Sequence, residues 1–345
     1  MSDESGVSGV SGVSGVSGVS VVSGVTTALG RAQRRAPVLQ LVALAALFVY
    51  GFFTVDNFGE GPNIRAMLVL AAILGMASIG QTLVFLLGGL DLSIAGFLSA
   101  SSIVLSQLCG IDHWPFTAAL LVILVAFGAL GGVSGWICHR YSIQPLIVTL
   151  GMGSIALGAS VVLVNGTING SAPAFLSTLT AADGSTFGLP LPPVVFIWAL
   201  VAVVLAVLLH RTVAGRQLYA TGANPRAAAL ARVPVRRVWV TVFAASAIFS
   251  AVAGVLLAGF SGADQGVGDP FLFQGLTAII VGGTTVMGAR GDYTHTVVGV
   301  LILTELNAIL TAHNLDSSDQ QILYGVLILL IVASYGREPR LSDRV

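Results

Sequence analysis

The sequence predicts an all-α, polytopic integral membrane protein of about ten transmembrane helices with Gly-rich interrupted segments. Composition is the first reason. Hydrophobic residues make up 55% of the chain and charged residues 9%, against about 25% charged in soluble domains, and mean hydropathy is +0.94. Spacing is the second. Apolar runs recur at residues 37–55, 64–87, 92–110, 116–138, 142–165, 192–210, 238–260, 272–288, 295–312 and 321–336, each near the length that crosses a bilayer. Arginine placement is the third. With the N-terminus inside, Arg31, Arg34, Arg35, Arg140, Arg211, Arg216, Arg226, Arg232, Arg236, Arg237, Arg290, Arg337, Arg340 and Arg344 all fall in cytoplasmic segments, leaving Arg65 outside. One helix more or fewer before residue 140 would put most of them on the wrong side of the positive-inside bias. Both termini are therefore expected in the cytoplasm.

Residues 1–35 read as a disordered cytoplasmic tail of Ser-Gly-Val repeats, too flexible and too poor in large apolar side chains to build a core. Residues 36–337 form the membrane domain, and 338–345 a short cytoplasmic tail. Net charge is +0, which gives no argument for nucleic acid. The sequence contains no lysine, and a P-loop needs one to reach nucleotide phosphates, so no ATPase site is expected in the chain itself. Cys109 and Cys138 form no CxxC or Cys/His cluster, so neither a metal site nor a disulfide is expected. Nothing pairs a nucleophile with a base, and no catalytic residue is assigned.

The first block of chemistry is GQTLVFLLGGLDLSIAG at residues 80–96. Gly88 and Gly89 interrupt the apolar run, and Asp91 follows. A carboxylate at the centre of a membrane helix costs roughly 2.5–3.5 kcal/mol on insertion scales. Two readings fit. Either an interrupted helix pair lines a substrate pathway, with Gln81, Gly88, Gly89, Asp91 and Ser93 along it, or the glycines form a tight turn and Asp91 caps the next helix from the interface. The external loop, 166–191, either meets an outside partner or is a solvated linker.

The second block is TVAGRQLYATGANPRAAALARV at residues 212–233. Asn224 is a helix cap, Pro225 suits the first helical position, and Ala227, Ala228, Ala229 and Leu230 are helix formers. A short helix flanked by Gly222 and Pro234 should project from the inner face, offering Arg226 and Arg232, with Ala228 at the point of closest contact. It is either a basic helix lying on anionic lipid or a rigid knob docked in a nucleotide-hydrolysing partner.

In the third block, AIIVGGTTVMGARG at residues 278–291, Gly282 and Gly283 again break an apolar run, with Thr284 behind them. Two such breaks suggest an internal repeat. Farther on, Glu305 lies inside an apolar run. It is a candidate pathway carboxylate or the partner of a polar group across the bundle.

All three blocks resemble, in order, the membrane subunits of ribose, xylose, arabinose and galactose ABC importers. The first is similar to the family's GQTLVILTGGIDLSVG, with Leu87 replacing a Thr and Ala95 a Gly. The second is similar to GRxIYAIGGNxxAARLSGI, with Arg232 where a Gly is usual. The third is similar to AVVIGGTSLFGGRGSVLG, with Asp292, Tyr293 and His295 replacing small residues and putting close packing there in doubt. The resemblance implies a bacterial plasma-membrane permease that passes a monosaccharide or related polyol. It also implies a second permease subunit (a copy or a paralogue), two cytoplasmic ATP-binding subunits holding ATP and Mg, and an external substrate-binding protein. On that basis Gly222, Asn224, Pro225, Arg226, Ala227, Ala228 and Arg232 would couple to the ATPase, and Gln81, Gly88, Gly89, Asp91, Ser93, Gly282, Gly283, Thr284 and Glu305 would line the pathway. The rival is a stand-alone proton-coupled transporter or channel that uses Asp91 and Glu305.

Overall fold

The computed structural model describes residues 38–285 and 288–335. The expected tails at 1–35 and 338–345, and Val286 and Met287 of the third block, lie outside the described residues. The helices are α1 (Val38–Thr54), α2 (Gly61–Leu86), α3 (Ile94–Ser106), α4 (Phe116–Tyr141), α5 (Pro145–Leu163), α6 (Ala174–Thr180), α7 (Pro193–Arg211), α8 (Val213–Ala223), α9 (Pro225–Leu230), α10 (Val235–Phe260), α11 (Asp269–Val281), α12 (Tyr293–Ala312) and α13 (Ser317–Tyr335). A π-helical turn, Gln107–Ile111, extends α3. No strand occurs among the described residues.

Seven of these helices are long and apolar enough to cross a membrane, and α1, α11 and α13 are apolar but shorter. Each of the ten expected runs therefore holds a helix. The run expected over 272–288 is corrected: α11 stops at Val281, because Gly283 takes a left-handed φ of 91° that ends the helix.

From Gln40 onward the bundle is built around α2 and α10. α10 packs chiefly on α4, α3 and α2, and α2 is buried throughout its second half. Without a hydrophobic drive between helices in lipid, close approach depends on small residues. Gly131 and Gly135 of α4 lie against the carbonyls of Phe243 and Trp239, and Gly254 of α10 against that of Leu98. A methyl group at any of the three would strike backbone. The outward faces are apolar instead, with Leu121 and Val125 of α4, Leu200 and Val203 of α7, and Leu329 and Leu330 of α13 exposed, as a lipid solvent requires.

Aromatic rings mark the two ends of the bundle. Phe116 stacks edge-on with Phe175, and Phe187 with Phe196, at one end. Trp136, Tyr141 and Trp239 lie at the other, where the Arg140 guanidinium sits over the Tyr141 ring. Such rings favour the membrane–water boundary. α8 and α9 belong to the second, arginine-rich end. Both cysteines are free.

Candidate functional site

The first break is a re-entrant segment. Gly88 adopts φ 86°, which turns the chain at the end of α2, and Gly89 packs on the Pro145 ring. The chain then runs back alongside α2. Asp91 reaches Ser246 of α10, whose hydroxyl donates to Asp91 Oδ2 at 2.5 Å, and Ser246 itself lies against Gly80. Gly80 is about 9 Å along the helix axis from Leu86 at 1.5 Å per residue, so non-helical backbone lies inside the bundle. Such backbone is tolerated at membrane depth where protein buries it.

Asp91 is 2% exposed, so protein rather than solvent surrounds it. Its Oδ1 accepts from the Ser93 backbone N–H at 2.9 Å and from the Ser93 hydroxyl. Three donors thus satisfy one buried carboxylate and pin the start of α3 to α10. Nearby, the Leu92 N–H donates to Thr149 Oγ1 at 3.0 Å, and Gly96 meets Gly153 of α5.

Gln81 sits elsewhere, in a polar seam between α2, α11 and α12. It is 1% exposed and neither amide atom has a partner among the described residues. Gly275 of α11 closes over its Oε1. At the next residue, the Thr82 and Thr296 hydroxyls bond at 3.2 Å. A second polar group joins α11, α12 and α13: Asn307 Oδ1 accepts from Gln274 Nε2 at 3.4 Å and from the Tyr324 hydroxyl at 3.2 Å. Sequence reasoning did not single out Gln274 and Tyr324. Their signal was a polar side chain inside an apolar run, the same signal that drew attention to Glu305.

Glu305 belongs to neither place. It is 6% exposed and its Oε2 has no partner among the described residues. It faces a cavity of about 450 Å³ walled by Leu44, Phe48, Met67, Leu68 and Leu301 of α1, α2 and α12.

The three sequence blocks converge at the arginine-rich end. The Ala289 N–H donates to the Leu86 carbonyl at 2.9 Å, laying the loop after the second break across the end of α2. A Cβ on Gly288 would lie 3.0 Å from both the Gly88 backbone and the Gly222 carbonyl oxygen, and one on Gly222 would collide with the Leu86 carbonyl oxygen. The Tyr219 hydroxyl donates to the Gly291 carbonyl at 2.9 Å. Burial, then the Asp292 charge, pushes that hydroxyl up to about 12, so it remains a donor at neutral pH. Thr284 is buried against Gly291, its hydroxyl without a partner among the described residues.

The bulky residues after this loop are accommodated. Tyr293 is fully buried, accepts from Trp198 Nε1 at 2.9 Å and donates to the Gly75 carbonyl at 2.8 Å. Asp292 pairs with His210 Nε2 at 2.9 Å, joining the start of α12 to the end of α7. Burial opposes its ionisation, but hydrogen bonds from Thr294 and His210 and the His210 charge outweigh that and hold the carboxyl below the usual carboxylate range.

α9 forms as its signals predict. Asn224 Oδ1 accepts from the N–H groups of Arg226 and Ala227 at 3.0 and 3.1 Å, and Pro225 takes the first position. The segment is two helices rather than one, because Thr212 caps α8 before Asn224 caps α9. Ala228 is corrected: it is 4% exposed, while Leu230 is 88% exposed, so Leu230 is the side chain that projects. Arg232 is resolved too. Standing where a Gly is usual, it takes the left-handed conformation itself, with φ 61°. Its N–H donates to the Ala229 carbonyl and that of Val233 to the Ala228 carbonyl, both at 3.0 Å, the paired bonds of a Schellman motif.

Residues 63–332 match the family described as "Branched-chain amino acid transport system / permease component". The ribose import permease protein RbsC of Haemophilus influenzae is 30% identical over 293 residues, 85% of this chain and 88% of its own. Its Bacillus subtilis namesake is 32% identical over 279 residues, 80% and 85% of the two chains. The fructose import permease protein FrcC of Rhizobium meliloti is 31% identical over 307 residues, 86% and 84%. No solved structure matches this chain.

Proposed function

The chain belongs to the branched-chain amino acid transport system permease component family, and from that premise we propose that it forms the translocation pathway of an ATP-driven importer for a monosaccharide or related polyol. One observation carries the reading: α9, an exposed short helix, is packed through α8 onto both glycine breaks. A helix so placed suits docking on two cytoplasmic ATP-binding subunits, which hold the ATP and Mg that this chain lacks the lysine to bind. Leu230 is its apolar contact, and Arg226 and Arg232 its charges. A second permease subunit completes the pathway, an external binding protein delivers the sugar, and both termini face the cytoplasm of a bacterial cell.

Within the pathway the polar seam and the second polar group suit the cargo. Gln81, Gln274, Asn307 and Tyr324 carry amide and hydroxyl groups of the kind that replace water around a sugar. Gly275 covers Gln81 in this conformation, so the seam is closed, and opening it requires α11 to separate from α2.

The test is reconstitution in liposomes with an ATPase subunit and an external binding protein from the same organism. Uptake of labelled ribose, arabinose, fructose or allose should require ATP on the ATPase side and survive an uncoupler. Uptake that needs no ATP and collapses with the uncoupler would establish the proton-coupled rival instead.

A further inference from the structure

We propose that residues 219–222 of α8 are a transmission wedge that drives both glycine breaks together, with Gly222 as its positioning residue. This rests on the importer reading and adds the route by which α9 reaches the pathway. Gly222 touches two other segments of backbone at once, the end of α2 and the loop at 288–289. Its missing side chain leaves room for the Leu86 carbonyl of α2, a Cβ there would lie 3.2 Å from Ala289 N, and its own carbonyl oxygen lies beside Gly288. Gly288 in turn lies against Gly88.

The contacts around Gly222 and Gly288 are backbone against backbone, without intervening side chains. A side chain can absorb a displacement by changing rotamer, whereas a backbone contact passes it on. Two hydrogen bonds lock the assembly: Ala289 N–H to the Leu86 carbonyl at 2.9 Å, and Tyr219 hydroxyl to the Gly291 carbonyl at 2.9 Å. The first joins the two breaks to each other. The second joins the loop of the second break to α8. A shift of α8 therefore moves the end of α2 and the loop before α12 as one body.

Beyond α2 the displacement reaches the pathway. Gln81 lies on the same helix as Leu86, and Gly282, at the end of α11, lies against the His295 carbonyl of α12. Both sides of the seam that holds Gln81 are thus attached to the wedge, and α11 can leave α2 only if the joint rearranges.

The experiment uses the whole transporter in liposomes. Gly222→Ala should insert and retain its ATPase at the wild-type ratio on purification. Uptake should fall at least tenfold through Vmax, with KM for the loaded binding protein unchanged, and ATP hydrolysis should continue without stimulation by that protein. Tyr219→Phe adds no bulk and removes only the bond to Gly291; a roughly threefold loss of uptake with the ATPase still bound supports the wedge even if Gly222→Ala does not fold. Gly325→Ala, at a position with open space around it, should transport normally. Wild-type uptake in both wedge variants would overturn the proposal. So would an uptake loss that tracks release of the ATPase, since that places the defect in docking. A wild-type chain that neither holds an ATPase nor uses ATP overturns the importer reading itself, before any variant is compared.

Discussion

The two glycine breaks carry one sequence signature and are held in two different ways. After Gly88–Gly89 the chain re-enters the bundle and is clamped by side chains: Asp91 takes donors from Ser93 and from Ser246 of α10. After Gly282–Gly283 it stays at the end of the bundle and is held through backbone groups, by the Leu86 carbonyl and by Tyr219 of α8. A buried carboxylate with three donors is costly to release. Backbone bonds to a neighbouring loop can be exchanged for others of the same kind. The first break is therefore the more firmly fixed side of the joint, and the second is the side whose own contacts exchange more easily as the wedge carries both.

The largest test removes the clamp. Asp91→Ala leaves two buried hydroxyls and the Ser93 N–H without their acceptor, and a buried donor left unsatisfied costs about 1–3 kcal/mol. We expect a loss of about 3 kcal/mol or more, read as a lower thermal unfolding midpoint in detergent, together with loss of uptake. Asp91→Asn keeps the shape and an acceptor and should recover part of both. An Asp91→Ala protein as stable as wild type would break the comparison at its fixed side.

Glu305 is the contrasting carboxyl, buried like Asp91 but without its donors. Replacing a buried polar group that lacks a partner by an apolar one of similar size relieves about 1–3 kcal/mol. Glu305→Leu should raise the unfolding midpoint and leave uptake within twofold of wild type. If uptake is abolished instead, Glu305 works in transport and the proton-coupled rival gains its carboxylate.

Glycine substitution at each break compares them directly. Gly88 and Gly283 have nearly equal φ values, 86° and 91°, and forcing an alanine there costs about 1–2 kcal/mol. The stability losses should match. Uptake should fall further for Gly283→Ala, because stiffening hurts most where the backbone has to change. Equal transport losses would remove the distinction between a clamped side and an exchangeable one.

The fold was legible because its signals are redundant: ten apolar runs, an arginine bias and capped ends all say the same thing. α9 was legible for the same reason, through Asn224 and Pro225. The site was less so. Gln81, Asp91, Thr284 and Glu305 look alike in sequence, each a polar residue in an apolar run. What separates them is their partners, and Ser246 and Gly275 lie far off in the chain. Ala228 was misjudged because helix propensity gives no information about which face of a six-residue helix is covered. The meeting of Gly88, Gly222 and Gly288 is a tertiary fact that no local pattern encodes.

A smaller effect concerns the far end of the second break. Asp292 holds His210 at 2.9 Å, but the His210 side chain is 53% exposed, so screening limits the pair to about 1 kcal/mol or less. The Asp292 carboxyl is held below its ordinary value. A depressed acid stabilises the fold above its unfolded pKa of about 3.9 and loses that contribution as pH falls through the folded value. Asp292→Asn should therefore lower the unfolding midpoint slightly at pH 7, and the gap to wild type should close below about pH 4. A gap that persists there would mean that the ionised carboxylate is not the stabilising species.

The smallest expected effect separates backbone strain from charge at α9. Arg232 occupies the left-handed position of the Schellman motif with φ 61°, where a glycine costs nothing and an L-residue about 1 kcal/mol. Arg232→Gly relieves that strain but also frees the unfolded chain, which offsets part of the gain. The net should be a stabilisation of a few tenths of a kcal/mol up to about 1 kcal/mol. If the arginine is kept for its charge, the same substitution weakens the hold on the ATPase while leaving the two Schellman bonds in place. The expected pair of readings is an equal or higher unfolding midpoint and an ATPase that dissociates two- to fivefold faster, most clearly at low salt, where an exposed charge is least screened. Arg232→Ala keeps a side chain in the strained position but removes the charge, so it should match Arg232→Gly in dissociation and not in stability. Unchanged dissociation in both variants would leave Leu230 as the contact at this end of α9, and the arginine as a residue tolerated there rather than used.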